Sequence, residues 1–201
     1  MPDSDIDLRA WIRPGDTVSW GQAGAEPLTL TRALVAQRHS FARARVFLGI
    51  SLSDTLQPAH ADALDFVGYT GSGSYRQLAQ AGVLDILPCQ YSQLPAFIRS
   101  GALQIDVLLL QVSPPDAQGR YSLGLAQDFL PAALDVARCV IGEVNPDVPW
   151  VAGERSLGKE DFDLLVPAAC PPLDTPAAQP GPVERAIAAR VAALIDDGAT
   201  L

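Results

Sequence analysis

Asp106-Val107-Leu108-Leu109-Leu110-Gln111-Val112, followed directly by Ser113-Pro114-Pro115-Asp116-Ala117-Gln118-Gly119, decides the fold class. The Val-Leu-Leu-Leu run has no polar face, so a strand built from it must be covered on both sides. Strands of that kind lie inside parallel sheets, between layers of helices. The Pro-Asp-x-x-Gly stretch that follows is a turn by its chemistry. Outward from this strand the pattern alternates. Buried or half-buried strands are expected at residues 17–20, 45–50, 64–69, 85–87 and 139–144, and helices at 7–12, 27–39, 74–80, 92–99 and 129–137. Pro27 suits the first turn of its helix, Ser92 is expected as a cap, and Gly82 and Gly101 sit just past helix ends. The expected fold is α/β, an open, mostly parallel sheet with helices on both faces.

The carboxyl-terminal part reads differently. Residues 167–182 hold six prolines and little periodicity, the composition of a semi-rigid, extended linker. A helix is expected over residues 183–195, with Ile187, Val191, Leu194 and Ile195 on one stripe. Gly198 closes it, and Ala199-Thr200-Leu201 reads as the first step of a strand. The expected organisation is a domain over residues 1–166, a linker over 167–182, and over 183–201 the first helix leading into a second domain.

With 201 residues, 48% of them hydrophobic and 18% charged, the chain is globular in balance and sized for one large domain. A formal net charge of −9 argues against nucleic acid and anionic membranes as partners. The start of the chain, with Asp3, Asp5 and Asp7, is acidic rather than basic and apolar, so a cytoplasmic protein is expected. Cys89, Cys139 and Cys170 form no C-x-x-C pair, and His39 and His60 stand in no metal-ligand spacing. Neither a metal nor a cofactor is expected. Gly71-Ser72-Gly73 lies between a strand and a helix, but a dinucleotide loop would need a third glycine where Arg76 stands. The densest basic group along the chain is Arg32, Arg38, His39, Arg43 and Arg45, which reads most simply as a solvated helix end.

Four polar loops follow expected strands: residues 21–24, 49–51, 69–72 and 113–119. Parallel strands deliver such loops to one edge, where ligands of open α/β sheets bind. Small residues, free N–H groups and hydroxyls there can hold a carboxylate or acyl oxygen without a metal. The candidate substrate-binding residues are Gly24, Ser51, Thr70, Ser72, Ser113, Asp116 and Gly119, with Ser51 and Thr70 as the hydroxyls expected to touch the ligand. Each loop is also explained singly as a turn, and Asp116 reads as a turn-former whose carboxylate caps nearby N–H groups.

Several segments together resemble the acetyl-CoA hydrolase/transferase family. Ser113-Pro114-Pro115-Asp116-Ala117-Gln118-Gly119-Arg120-Tyr121-Ser122-Leu123-Gly124 is similar to its S-x-x-D-x-x-G-x-x-S-x-G segment. Gly24-x-x-Pro27-x-x-Leu30-x-x-Ala33-Leu34 resembles its first loop and helix. Arg76, Gly82, Pro88, Leu94 and Pro95 follow its next stretch, with Gln93 where serine is more usual. Ile141-Gly142-Glu143-Val144-Asn145-Pro146 and Pro149 resemble its I-x-E-V-N-P-x-x-P signature. Residues 191–201 resemble the segment that begins the second domain, and residues 154–159 depart from the family pattern.

The resemblance implies a domain of the NagB/RpiA/CoA-transferase type, the amino-terminal half of an acyl-CoA:carboxylate CoA-transferase or acetyl-CoA hydrolase. It implies acyl-CoA and a small carboxylic acid as ligands, with coenzyme A as a substrate rather than a cofactor. In the family a glutamate of the second domain attacks the acyl-CoA and becomes a glutamyl-CoA thioester, which water or a carboxylate then resolves. Glu26, Glu143, Glu154, Glu160 and Glu184 do not match that position, so no catalytic residue is expected in this chain and no turnover by it alone. Two other readings stay open: a stand-alone small-acid-binding module, and a non-catalytic scaffold for oligomerisation, for instance a homo-oligomer.

Overall fold

The computed structural model describes residues 6–175 and 177–200. Seven strands, β1 (Thr17–Trp20), β2 (Ala44–Leu48), β3 (Leu64–Gly68), β4 (Leu84–Ile86), β5 (Val107–Val112), β6 (Cys139–Val144) and β7 (Leu164–Pro167), form one sheet in the order β4-β3-β2-β1-β5-β6-β7. Every neighbouring pair is parallel. The chain winds outward from β1 to β4, returns to the other side of β1 as β5, and winds outward again. The switch point is therefore the crevice between β1 and β5.

The helices are α1 (Leu28–Ala36), α2 (Arg76–Gln80), α3 (Leu94–Arg99), α4 (Leu130–Val136) and α5 (Pro182–Ala192). The side chains of β5 alternate between two cores, as the period of a strand requires. Val107 and Leu109 pack with Leu30 and Leu34 of α1 and Leu78 of α2. Leu108, Leu110 and Val112 pack with Leu94 and Ile98 of α3 and with Leu130 and Ala133 of α4. All six residues of β5 are buried, so the strand is covered on both faces. No helix among the described residues is long and apolar enough to cross a membrane.

Several elements differ from their expected form. The first helix is one 3-10 turn, Leu8–Ala10, and α1 ends at Ala36, with a separate 3-10 turn at Arg38–Ser40. Ser92 does not cap α3. It lies inside a 3-10 turn, Tyr91–Gln93, whose start is held by the Gln90 N–H donating to the Gln93 side chain at 3.1 Å. Strand β7 has no counterpart in the sequence reading, and Pro167 is its last residue. Proline is tolerated there because β7 is an edge strand and has only β6 to pair with. After β7 the chain turns back over the sheet end: the Ala169 N–H donates to Thr29 Oγ1 at 2.9 Å, and Asn145 Nδ2 donates to the Cys170 carbonyl at 3.1 Å. Helix α5 begins at Pro182 and ends at Ala192, and its residues Val183, Ile187 and Val191 are exposed, as are Leu194 and Ile195 beyond it. The expected strand start at 199–201 falls partly on Leu201, outside the described residues; Ala199 and Thr200 belong to no strand.

Leu109→Ala removes a fully buried side chain from the centre of one core and is expected to cost about 2–5 kcal/mol of stability in urea unfolding. Val183→Ala, on exposed α5, is expected to stay within about 0.5 kcal/mol of the parent.

Candidate functional site

The loops after β3, β2, β1 and β5 stand side by side along the carboxyl edge of the sheet, in the order of their strands. Gln22, just past β1, ties three of them together. Its Oε1 accepts from the Ile50 N–H at 2.8 Å and the Tyr69 hydroxyl at 2.5 Å, and its Nε2 donates to the Tyr91 hydroxyl at 2.8 Å. Space for this amide exists because residue 49 is glycine: a Cβ there would lie 2.4 Å from Gln22 Oε1. Ala23 holds a left-handed φ of 50°, sparsely populated for a residue with a side chain, and its N–H donates to the Ile50 carbonyl at 2.8 Å. Tyr69 and Tyr91 pack ring to ring, with centroids 5.2 Å apart. Burial and the nearby Asp128 carboxylate push both phenols above their ordinary pKa, so both are protonated donors at neutral pH.

Two glutamates sit under this edge, each already engaged. Glu26 is buried. Its Oε1 accepts from Thr31 Oγ1 at 3.1 Å and Ser53 Oγ at 3.0 Å, and its Oε2 from Ser51 Oγ at 2.7 Å and Ser53 Oγ at 2.8 Å. Glu143, on β6, is wholly buried, and its Oε2 accepts from the N–H groups of Thr29 and Leu30 at 2.9 and 3.2 Å. It thus satisfies two donors at the start of α1. Its Oε1 has no hydrogen-bond partner among the described residues. Burial raises its pKa, and the bonds from α1 and the charge of Arg32 pull the other way. A third buried bridge crosses the switch point: Gln111 Nε2 donates to the Gly24 carbonyl at 2.7 Å, and Gln111 Oε1 accepts from Asn145 Nδ2 at 3.1 Å.

The seven residues singled out in the sequence divide into groups. Gly24, Ser51, Thr70 and Ser72 lie in the adjoining loops after β1, β2 and β3. Ser51 is buried and directs its hydroxyl to Glu26. Thr70 and Ser72 share a hydrogen bond of 2.9 Å on the exposed side. The backbone at Gly24 runs so close to the Leu173 carbonyl that a Cβ there would come within 2.9 Å of it, so the returning segment partly covers the switch point. Ser113 is sealed in, with its hydroxyl on the Pro114 carbonyl and the Ser122 N–H. Asp116 Oδ1 accepts from the Gln118 and Arg120 N–H groups at 2.9 and 2.8 Å, which closes the turn. Gly119 borders a separate cleft of about 260 Å³ with Ser156 and Gly158. Ser113 is thus closed off from the surface, and the cleft that Gly119 borders is lined by none of the other six. Gln22, Tyr69, Tyr91 and Glu26 carry most of the polar structure of the edge and were not among the seven. Among the described residues, no group of three or more His, Cys, Asp or Glu could hold a metal ion.

Two outcomes check this geometry. Gly49→Ala forces the Gln22 amide aside and leaves the Ile50 N–H and two phenols short of a partner, an expected loss of about 1–3 kcal/mol in urea unfolding. Glu143 has its folded pKa raised above the ordinary 4.5, so its contribution is full below that value and lost as pH rises through the raised one. The stability difference between the parent and Glu143→Gln should shift toward the variant as pH rises from about 4.5. A difference independent of pH would show that Glu143 titrates normally.

Residues 5–164 match the family described as acetyl-CoA hydrolase/transferase N-terminal domain. A 4-hydroxybutyrate coenzyme A transferase of Clostridium kluyveri is 32% identical over 190 residues, 92% of this chain but 43% of that protein. A butyryl-CoA:acetate CoA-transferase of Anaerostipes caccae is 28% identical over 77% of this chain and 36% of its own length. Among solved structures, RipA from Yersinia pestis superposes with a TM-score of 0.83 at 25% identity over 95% of this chain and 47% of that one. A 4-hydroxybutyrate CoA-transferase from Porphyromonas gingivalis gives 0.65 at 26% identity, over 96% of this chain and 45% of that one. The chain spans less than half the length of each of these relatives. With this sheet, this edge and these matches, the chain belongs to the acetyl-CoA hydrolase/transferase family, as its amino-terminal domain.

Proposed function

We propose that this chain supplies the acyl- and acid-holding wall of a CoA-transfer site whose nucleophile comes from a further domain. The observation that carries the reading is the match of nearly all of this chain to less than half of a 4-hydroxybutyrate coenzyme A transferase. The geometry supports it from the other side. A nucleophilic carboxylate must reach an acyl carbon, but Glu26 is saturated with hydroxyl donors and Glu143 is buried on the N–H groups of α1. What the edge offers instead is the pair of Thr70 and Ser72 hydroxyls on its exposed side, one O–H bonded to the other oxygen and the second left for a ligand, while the Tyr69 proton is already given to Gln22 Oε1. Donors of this kind hold a carboxylate or the oxygen of an acyl group while charge develops on it. In this reading Gly24 lets the backbone approach the ligand, Ser51 positions its loop through Glu26, and Ser113, Asp116 and Gly119 shape the neighbouring loop.

The organisation proposed with it is one α/β domain, a proline-rich connection, and α5 as the first element of the next domain. The exposed stripe of Val183, Ile187, Val191 and Leu194 would be covered by that domain. Acyl-CoA and a small acid are the proposed ligands, in the cytoplasm.

Treated with butyryl-CoA and analysed by mass spectrometry, this chain should show no covalent adduct; a glutamyl-CoA adduct on it would overturn the assignment of the nucleophile. Valine at the position equivalent to Thr70 in a two-domain relative should lower kcat for acyl transfer by about tenfold or more without changing Tm. A fully active valine variant would remove this hydroxyl from the site.

A further inference from the structure

After β7 the chain does not leave the domain at once. Residues 168–173 run back across the end of the sheet, over the crevice between β1 and β5 where ligands of open α/β sheets bind. A Cβ at Gly24, just past β1, would come within 2.9 Å of the Leu173 carbonyl. Two side chains anchor this strap. Thr29 Oγ1, at the start of α1, accepts from the Ala169 N–H at 2.9 Å, and Asn145 Nδ2, just past β6, donates to the Cys170 carbonyl at 3.1 Å. Arg32 Nη1 adds a weak contact to Cys170 Sγ at 3.7 Å. From Ala169 to Leu173 no backbone–backbone hydrogen bond is formed among the described residues, and Pro171 and Pro172 have no N–H to give.

The anchors belong to the network they cover. Asn145 Nδ2 also donates to Gln111 Oε1 at 3.1 Å, and Gln111 Nε2 donates to the Gly24 carbonyl at 2.7 Å. One chain of amides therefore links the strap to β6, to β5 and to the segment after β1. Thr29, Gln111 and Asn145 are all buried, whereas Ala169 and Pro171 of the strap are exposed. A segment tied down by so few bonds lies at the low-stability end of a structure, from which the elements that open over ligands are drawn. Its adjacent prolines keep it extended, which favours motion as one plate over unravelling. An open cleft of about 580 Å³ borders Leu173, so there is space beside the strap for it to move into. The Asn145 N–H given up by Cys170 need not stay unpaired, since a carboxylate or acyl oxygen in the crevice can accept it instead.

We propose that residues 168–173 are an internal cover of the switch point, a strap whose Cys170 carbonyl occupies the Asn145 amide until an acid displaces it. The proposal rests on the reading that this edge holds an acid, and adds that the edge is closed while empty. Closed strap and bound acid exclude each other, so each weakens the other by the same factor. Loosening the strap should therefore tighten the acid, and the acid should loosen the strap.

The test is NMR on the labelled chain, titrated with sodium butyrate and, as the ionic control, with sodium chloride. Butyrate should speed amide exchange at Ala169 and leave the amides of β5 as they are; sodium chloride should change neither. Leu173→Gly, which removes the half-buried end of the strap, should speed exchange at Ala169 without butyrate and bind butyrate about threefold more tightly or better. Thr29→Val removes the acceptor of the Ala169 N–H and should tighten butyrate similarly. Because Thr29 also starts α1, Leu173→Gly decides if the valine variant fails to fold. The proposal is overturned if butyrate shifts Thr70 and Ser72 but leaves exchange at Ala169 unchanged, if it slows that exchange, or if the folded variants bind butyrate as the parent does. In each of these outcomes the acid-holding reading still stands. Butyrate that shifts no resonance in the parent or in either variant overturns that reading, and the strap as its cover with it.

Discussion

Where a parallel strand ends, the hydrogen-bond ladder stops, and the next backbone groups need other partners if they are to stay inside the protein. In this chain a small set of buried polar side chains takes over that work. Gln22 receives the Ile50 N–H, Glu143 receives two N–H groups at the start of α1, and Gln111 donates to the Gly24 carbonyl. Each carries the order of the sheet one step further into a loop. The segments after β1 and β2 are thereby tied to each other at the end of the sheet.

The consequence for function is electrostatic. Donors fixed before a ligand arrives need no rearrangement when charge develops, which is the condition for stabilising an oxyanion. The same networks occupy the carboxylates of the edge. Glu26 spends both oxygens on the hydroxyls of Thr31, Ser51 and Ser53, and Glu143 spends one on α1 while burial disfavours its charge. In the proposed reading the edge is a holding surface, and its two buried glutamates serve the fold. A matching domain that brings one free carboxylate would complete the chemistry.

The sheet was largely legible in the sequence because its signals are local. Val107-Leu108-Leu109-Leu110 has no polar face, and a strand with two apolar faces fixes a parallel sheet between helices. Parallel strands then place the following loops at one edge, so the neighbourhood of Gly24, Ser51 and Thr70 could be named in advance. The rest was illegible for two physical reasons. Strand β7 is short, lies at an edge and ends on Pro167, the first residue of the proline-rich stretch, so no run of strand length stands out there. The networks join residues far apart along the chain: Glu143 and Thr29 are separated by 114 positions, and Gln22 and Tyr69 by 47. No spacing pattern reports such a contact. The basic group from Arg32 to Arg45, read as a solvated helix end, has Arg38, His39 and Arg43 paired off in the fold by Asp62 and Asp65, which a local reading does not see. Ser113 follows a strand as expected and is nonetheless sealed, because its hydroxyl closes the loop on Ser122.

Amide hydrogen exchange in Gln22→Met tests most directly the claim that side-chain amides hold the edge. Methionine keeps the size of the side chain and removes its hydrogen bonds to Ile50, Tyr69 and Tyr91. The Ile50 amide and those of residues 23–26 should exchange at least about tenfold faster, while the amides of β5 keep the protection set by global unfolding. Unchanged protection at Ile50 would contradict the account, because the loops would then owe their order to something other than the buried amide.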